Sequence, residues 1–295
     1  MIFSSIKDIT IPEGVVKQIA DSEGRILWKG GAVDVSTMVI GYTGAYTDQT
    51  EVTMSGKKYR LLTLTGSGTL TLPEEVTADV WLCNGGNSGG TWARSGGGGG
   101  YFVQKLSIKL ATPVVCTIGA GAGENFNSYT PVAGGSTSMG TITPKAQEAS
   151  ANGASGGGQG AIGDNAGSGG GISTVPFEEA TLFEPHSAGG GAGGINDTVD
   201  DITRGGGVGG SNGANGGART NNNYSGGTGG TKGGGTGGDG LKSSTAVNNN
   251  MGKAATYYGS GGGAGGVRVT SSDEYGGSGG AGYQGAIYVR IPYEQ

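Results

Sequence analysis

The placement of glycine limits what this chain can fold into. Nine glycines fall in residues 1–84 and the other 61 of the 70 in residues 85–295, in short tracts separated by polar or aromatic inserts. Glycine loses more conformational entropy on folding than any other residue. A chain that orders so much of it must gain something only glycine allows, which is close backbone packing with hydrogen bonds between segments. The tracts have period three: positions 207, 210, 213 and 216 are all glycine, and Gly226-Gly227-Thr228-Gly229-Gly230-Thr231 repeats the triplet. So do Gly262-Gly263-Ala264-Gly265-Gly266-Val267 and Gly276-Gly277-Ser278-Gly279-Gly280-Ala281. Three residues per turn is the period of an extended left-handed helix that makes no internal hydrogen bonds. Its N–H and C=O groups must then be satisfied by neighbours. Collagen does this with a strict Gly-X-Y repeat and abundant proline; here there are 8 prolines and the phase slips between tracts. The expectation is a bundle of polyglycine II helices running up and down, bonded sideways, with the inserts as loops at the ends.

Strands are expected to frame this body. Residues 12–29 read as a hairpin about Asp21-Ser22-Glu23-Gly24, and 33–40 as a strand leading into a linker. Thr and Leu alternate on either side of Gly66-Ser67-Gly68, giving strand, turn, strand. Further strands are expected over 76–83, 101–110, 113–118 and 284–291. No segment reads as a helix. The predicted fold is mainly β and irregular, with little or no α-helix: a β attachment module and linker over 1–56, then a glycine-rich domain over 57–295 framed by strands at 57–83, 101–118 and 284–293. An isolated hairpin is marginal in water, so the first module is expected either to dock, with Val16, Ile19, Ile26 and Trp28 as its contact residues, or to be a simple N-terminal strand pair of the main domain.

Composition excludes several function classes. Lys+Arg 18 against Asp+Glu 23 argues against a general nucleic-acid surface. No apolar run reaches the ~20 residues of a membrane helix. Charge close behind Met1 argues against a signal peptide, so synthesis in the cytoplasm is expected. Cys83 and Cys116 sit in strand-like runs and are expected as free buried thiols rather than a disulfide. They make no metal site, and no cofactor is expected. Glu178, Glu179, Glu184 or Asp200 and Asp201 lack the marks of a glycosidase pair, and His186 has no nucleophile motif beside it. A non-enzyme is expected. One match to the calcium nonapeptide pattern at 234–242 carries no weight without tandem copies.

The tracts at 189–194, 205–217, 226–240, 261–266 and 276–282 resemble those of glycine-rich tail-fibre adhesins of tailed bacteriophages. The runs at 66–73, 81–86 and 282–291 resemble a wider class of glycine-rich phage and prophage tail proteins. The resemblance implies a polyglycine-helix sandwich at a fibre tip whose inserts contact a receptor, on a virion made in the bacterial cytoplasm. The N-terminal module departs from the T-even attachment domain. It implies two sets of partners: other tail, baseplate or fibre proteins at the N-terminal module, and a bacterial surface glycan or outer protein at the loops. Self-association is left open. Rings beside amides and carboxylates suit such recognition. The candidate receptor contacts are Phe177, Glu179, Phe183, His186, Asn222, Tyr224, Tyr257, Tyr258, Tyr275, Phe126 and Tyr129. The alternatives are a structural glycine-rich tail component without a receptor role and, further off, an ice-binding polyglycine protein.

Overall fold

The computed structural model describes residues 18–20, 26–29, 35–92, 96–128, 130–146, 195–197, 251–269 and 274–293. These contain strands and extended coil and no helix. The first strands, β1 (Gln18–Ala20) and β2 (Ile26–Lys29), form the expected antiparallel hairpin, with Ile19 opposite Trp28 and Ala20 opposite Ile26. Residues 35–40 form a turn and coil where a strand was expected. The cause is Arg60, a buried guanidinium that pulls this segment in by donating to the carbonyls of Val35 and Met38 at 3.0 and 2.5 Å. Its other face donates to both carboxylate oxygens of Asp48, at 2.9 and 2.6 Å. Val35 and Met38 are buried as a result, while Val39 between them and Ile40 stays exposed.

Two antiparallel sheets follow. Strands β4 (Tyr46–Met54), β5 (Lys57–Leu64), β7 (Val76–Cys83), β8 (Phe102–Leu110) and β14 (Ala286–Pro292) order as β4-β5-β14-β7-β8. Strands β3 (Gly41–Tyr42), β6 (Gly68–Thr71), β9 (Val114–Thr117) and β10 (Ser138–Met139) order as β10-β9-β6-β3. Residues 46–54, read as linker in the sequence, pair along β5 as an edge strand. The expected strand–turn–strand about residue 67 exists, but its arms lie in different sheets. The crossing is possible because Gly44, Gly66 and Gly68 pass with no room for a side chain. A Cβ on Gly68 would lie 2.4 Å from the Gly44 nitrogen.

Alternation then builds a sandwich. Leu62, Leu64, Val80, Leu82, Ile287, Val289 and Ile291 point to one face of the larger sheet and pack with Leu70, Cys116 and Met139 of the smaller one. Leu61, Trp81 and Tyr288 point the other way, with Val52 and Met54. Both thiols are free and buried, as expected.

Beyond the sandwich the strands do not stop. They unwind into glycine-rich segments: β7 continues as 84–92, 96–101 leads into β8, 277–285 leads into β14, β9 continues as 118–125, and 131–137 leads into β10. Segment 84–92 is the hub, and its N–H groups rotate among three neighbours. Asn84 and Asn87 donate to Tyr101 and Gly98; Gly85, Ser88 and Thr91 donate to Gly135, Val132 and Ser128; Gly86, Gly89 and Trp92 donate to Tyr283, Gly280 and Gly277. Each step of three on the hub is a step of three or four back on the neighbour, so these pairs are antiparallel. The hub's carbonyls reach two more segments: Gly86 accepts from Ala122, and Asn87 and Gly90 accept from Gly262 and Gly265. Segment 277–285 repeats the pattern. Gly277, Gly280 and Tyr283 donate to Gly266, Gly263 and Ser260, while Gly279, Gly282 and Gly285 donate to Asn125, Ala122 and Gly119. This is the polyglycine II arrangement: no bonds within a segment, period three between segments. At 3.1 Å per residue the hub spans about 28 Å.

Candidate functional site

The bundle has two ends. The near end is the sandwich. The far end lies by Trp92, which donates to Gly277 at 3.4 Å and whose ring covers Gly276 so closely that a Cβ there would sit 2.3 Å from it. A small sheet continues outward from that end: β12 (Val267–Val269) pairs antiparallel with β13 (Glu274–Gly276) and parallel with β11 (Ile195–Asp197). Gly252 donates to Ser278 at 2.9 Å, so Met251 also starts at the far end. Trp92, Asn125, Asp197, Met251, Val269 and Glu274 therefore share one end of the bundle.

The loop after Asn125 is held rigidly. The Asn125 side-chain nitrogen donates to the carbonyls of Gly89, Ser128 and Thr130 at 3.1, 2.8 and 2.9 Å, and its oxygen accepts from Ser128 N–H at 2.9 Å. This presents Phe126 at 62% exposure. Elsewhere in the bundle, Asn84, Asn87, Ser88 and Thr137 are buried for the same reason: their polar atoms take up backbone groups that neighbouring segments leave over.

The predicted contacts do not all converge. Phe126 and Tyr275, the latter on β13, belong to the far end. Tyr257 and Tyr258 lie at the near end, on the turn held by Ser260 N–H to the Tyr257 carbonyl and Gly259 N–H to the Gln284 carbonyl. There Tyr258 stacks edge-to-face with Tyr257 at 5.3 Å and with Tyr283 at 5.6 Å. Burial, then the nearby Tyr283, pushes the Tyr258 hydroxyl up. Burial also pushes Tyr288, against the same cluster, well above the ordinary range. Of the docking residues, Ile19 lies on β1 and Ile26 and Trp28 on β2. Val16, Tyr129, Phe177, Glu179, Phe183, His186, Asn222 and Tyr224 lie outside the described residues, as do the tracts at 205–217 and 226–240.

Two features escaped the sequence reading. Tyr283 is a lone ring inside a glycine tract, and its phase of three places it beside Ser260. Asp79 and Arg290 pair across β7 and β14 at 2.7 and 3.0 Å, with the guanidinium over Tyr59 at 4.9 Å and Trp81 at 5.2 Å. Only the strand register, 211 positions apart, brings them together.

Fold and bonding define an all-β, glycine-rich protein whose strands pass into polyglycine helices. The chain belongs to a family described as a glycine-rich domain, whose model matches residues 63–292. The match begins within β5 and ends on the last residue of β14, so it covers the bundle and most of the strands that frame it. No curated protein matches the chain.

Proposed function

We propose that this protein is a receptor-binding adhesin of a phage or prophage tail, attaching the virion to the bacterial surface through loops carried by the polyglycine bundle. The observation that carries the reading is Phe126, held exposed by the Asn125 turn at the far end of a scaffold bonded through its backbone. Loops on a rigid frame are where binding is usually found, and a frame bonded by backbone lets loop residues vary without disturbing it. The N-terminal hairpin would join other tail or fibre proteins, and a surface glycan or outer protein would be the target. Multiple copies on a virion would raise avidity without new contacts. The mechanism is adhesion, without chemistry or a cofactor.

The test is competition. Purified protein is added to host cells before the parent phage, and free phage are counted over time. Adsorption slows with the wild-type chain and slows less with Phe126→Ala. If saturating protein leaves adsorption unchanged and binds no host-cell fraction, the chain is a structural tail component instead.

A further inference from the structure

The sandwich carries a cleft at the end opposite the bundle, on the outer face of the larger sheet. Its volume is roughly 350 Å³, and Lys57, Tyr59, Thr77, Asp79, Ser107 and Pro292 contribute to its lining. It is built by an irregularity. The β7–β8 ladder shifts register between Ala78 and Val80, so Asp79 is left out of the pairing. Ser107 opposite it adopts φ 51, a left-handed conformation that costs energy for a residue with a side chain. The strained Ser107 N–H turns to Asp79 Oδ1 at 2.8 Å. Asp79 Oδ2 accepts from Arg290, whose guanidinium is itself fixed on the rings of Tyr59 and Trp81. A bulge and a strained residue around a clamped carboxylate are the devices by which sheets aim groups at a ligand.

We infer that this cleft binds a sugar unit bearing a carboxylate. The lining combines a fixed carboxylate, whose Oδ1 keeps one acceptor site for a sugar hydroxyl beside the Ser107 N–H, with the exposed Ser107 hydroxyl and the edge of Tyr59. It also places an exposed ammonium, Lys57, at the rim. Lys58 is engaged by Glu51, which leaves Lys57 as the lysine to meet an anionic substituent. A neutral sugar would satisfy Asp79 and Ser107 but not Lys57. The volume suits one pyranose ring, at the small end of ligand pockets. This site is independent of the far-end loops.

The full chain labelled with ¹⁵N is titrated with D-glucuronate and with D-glucose up to ~10 mM, the weak end of binding affinities. The expected result is amide shifts centred on Lys57, Asp79 and Ser107 with glucuronate, and binding at least about tenfold weaker with glucose. Lys57→Gln should bring glucuronate down to the level of glucose. Ser107→Gly relieves the left-handed strain, so it should melt higher while binding glucuronate more weakly, an effect that unfolding cannot imitate. Equal binding of both sugars, no shifts at the cleft, or shifts confined to the far-end loops overturns the inference. The last outcome would at the same time favour the adhesin reading.

Discussion

Substituting Gly89 by alanine isolates the close packing that glycine permits. A Cβ on Gly89 would lie 2.0 Å from the Gly263 oxygen and 2.3 Å from its carbonyl carbon, and such contacts become ordinary only at 3.4 Å. Segment 259–266 must therefore move off the hub by about 1.4 Å. That movement stretches the bonds from Gly262 to Asn87, from Gly265 to Gly90 and from Gly280 to Gly263, now 2.9, 2.9 and 2.8 Å, past bonding distance. At about 1 kcal/mol each these sum to about 3 kcal/mol, and residual overpacking adds about 1–3 kcal/mol. The expected loss, about 4–6 kcal/mol, approaches the whole stability of many domains. Gly123 is the control, since a Cβ there meets nothing within 4 Å. Gly123→Ala should be neutral, or stabilising by up to about 1 kcal/mol through the unfolded chain. Urea denaturation followed by tryptophan fluorescence measures both. If Gly89→Ala stays within about 1 kcal/mol of wild type, or Gly123→Ala is equally damaging, then backbone contact is not why glycine occupies these positions.

Other consequences can be checked as directly. Arg60→Met leaves the Asp48 carboxylate and two carbonyls without their donor and should cost about 3–5 kcal/mol; proteolysis should then open first within residues 35–40, and cleavage elsewhere would argue against the Arg60 anchor. Burial, then the charge of nearby Cys116, pushes the Tyr42 hydroxyl from 10.0 up to about 12, and it donates to the Gly66 carbonyl at 2.5 Å. A folded-state pKa above the unfolded one means this contribution is complete below pH 10 and is lost as pH rises through about 12. Tyr42→Phe should flatten that alkaline fall in urea midpoints, and an unaltered slope would reject the assignment. Burial raises the Cys116 thiol to about 11 and lifts Cys83 further; both should resist a thiol reagent in the native protein and react at the rate of unfolding, so prompt native labelling would contradict their burial.

Much of the fold was legible in the sequence because its signals are local. Thr–Leu alternation marked β5 and β6, and triplet glycines marked 261–266 and 276–282. What failed depends on distant partners. The segment around Val35 and Met38 has the composition of a strand and became a turn because Arg60, beyond any local window and held by Asp48, donates to its carbonyls. Nothing local marks Asn84-Gly85-Gly86-Asn87-Ser88-Gly89-Gly90-Thr91-Trp92 as the hub. Its glycines at 86 and 89 hold period three, but Asn and Ser interrupt the tract. Those residues are polar because they complete the bonding of a crowded interior, which only the neighbouring segments reveal. The site was less legible than the fold. The candidate rings stand out by composition alone, and composition does not say which end of a bundle a turn occupies. Tyr257–Tyr258 and Phe126 therefore looked alike in sequence and lie at opposite ends.

The position of β14 sets a timetable for synthesis. It fills the slot between β5 and β7, and its Arg290 pairs with Asp79 from 211 positions away. At roughly 5–20 residues per second, the ribosome delivers β14 about 10–40 s after β7. During that interval Leu62, Leu64, Val80 and Leu82 have no central strand to join them, and both bordering strands present open hydrogen-bonding edges. The hub, attached to β7, waits equally for segment 277–285. The nascent chain is thus a template for pairing with its own neighbours on a polysome. Yield should depend more on how crowded synthesis is than on the stability of the finished molecule.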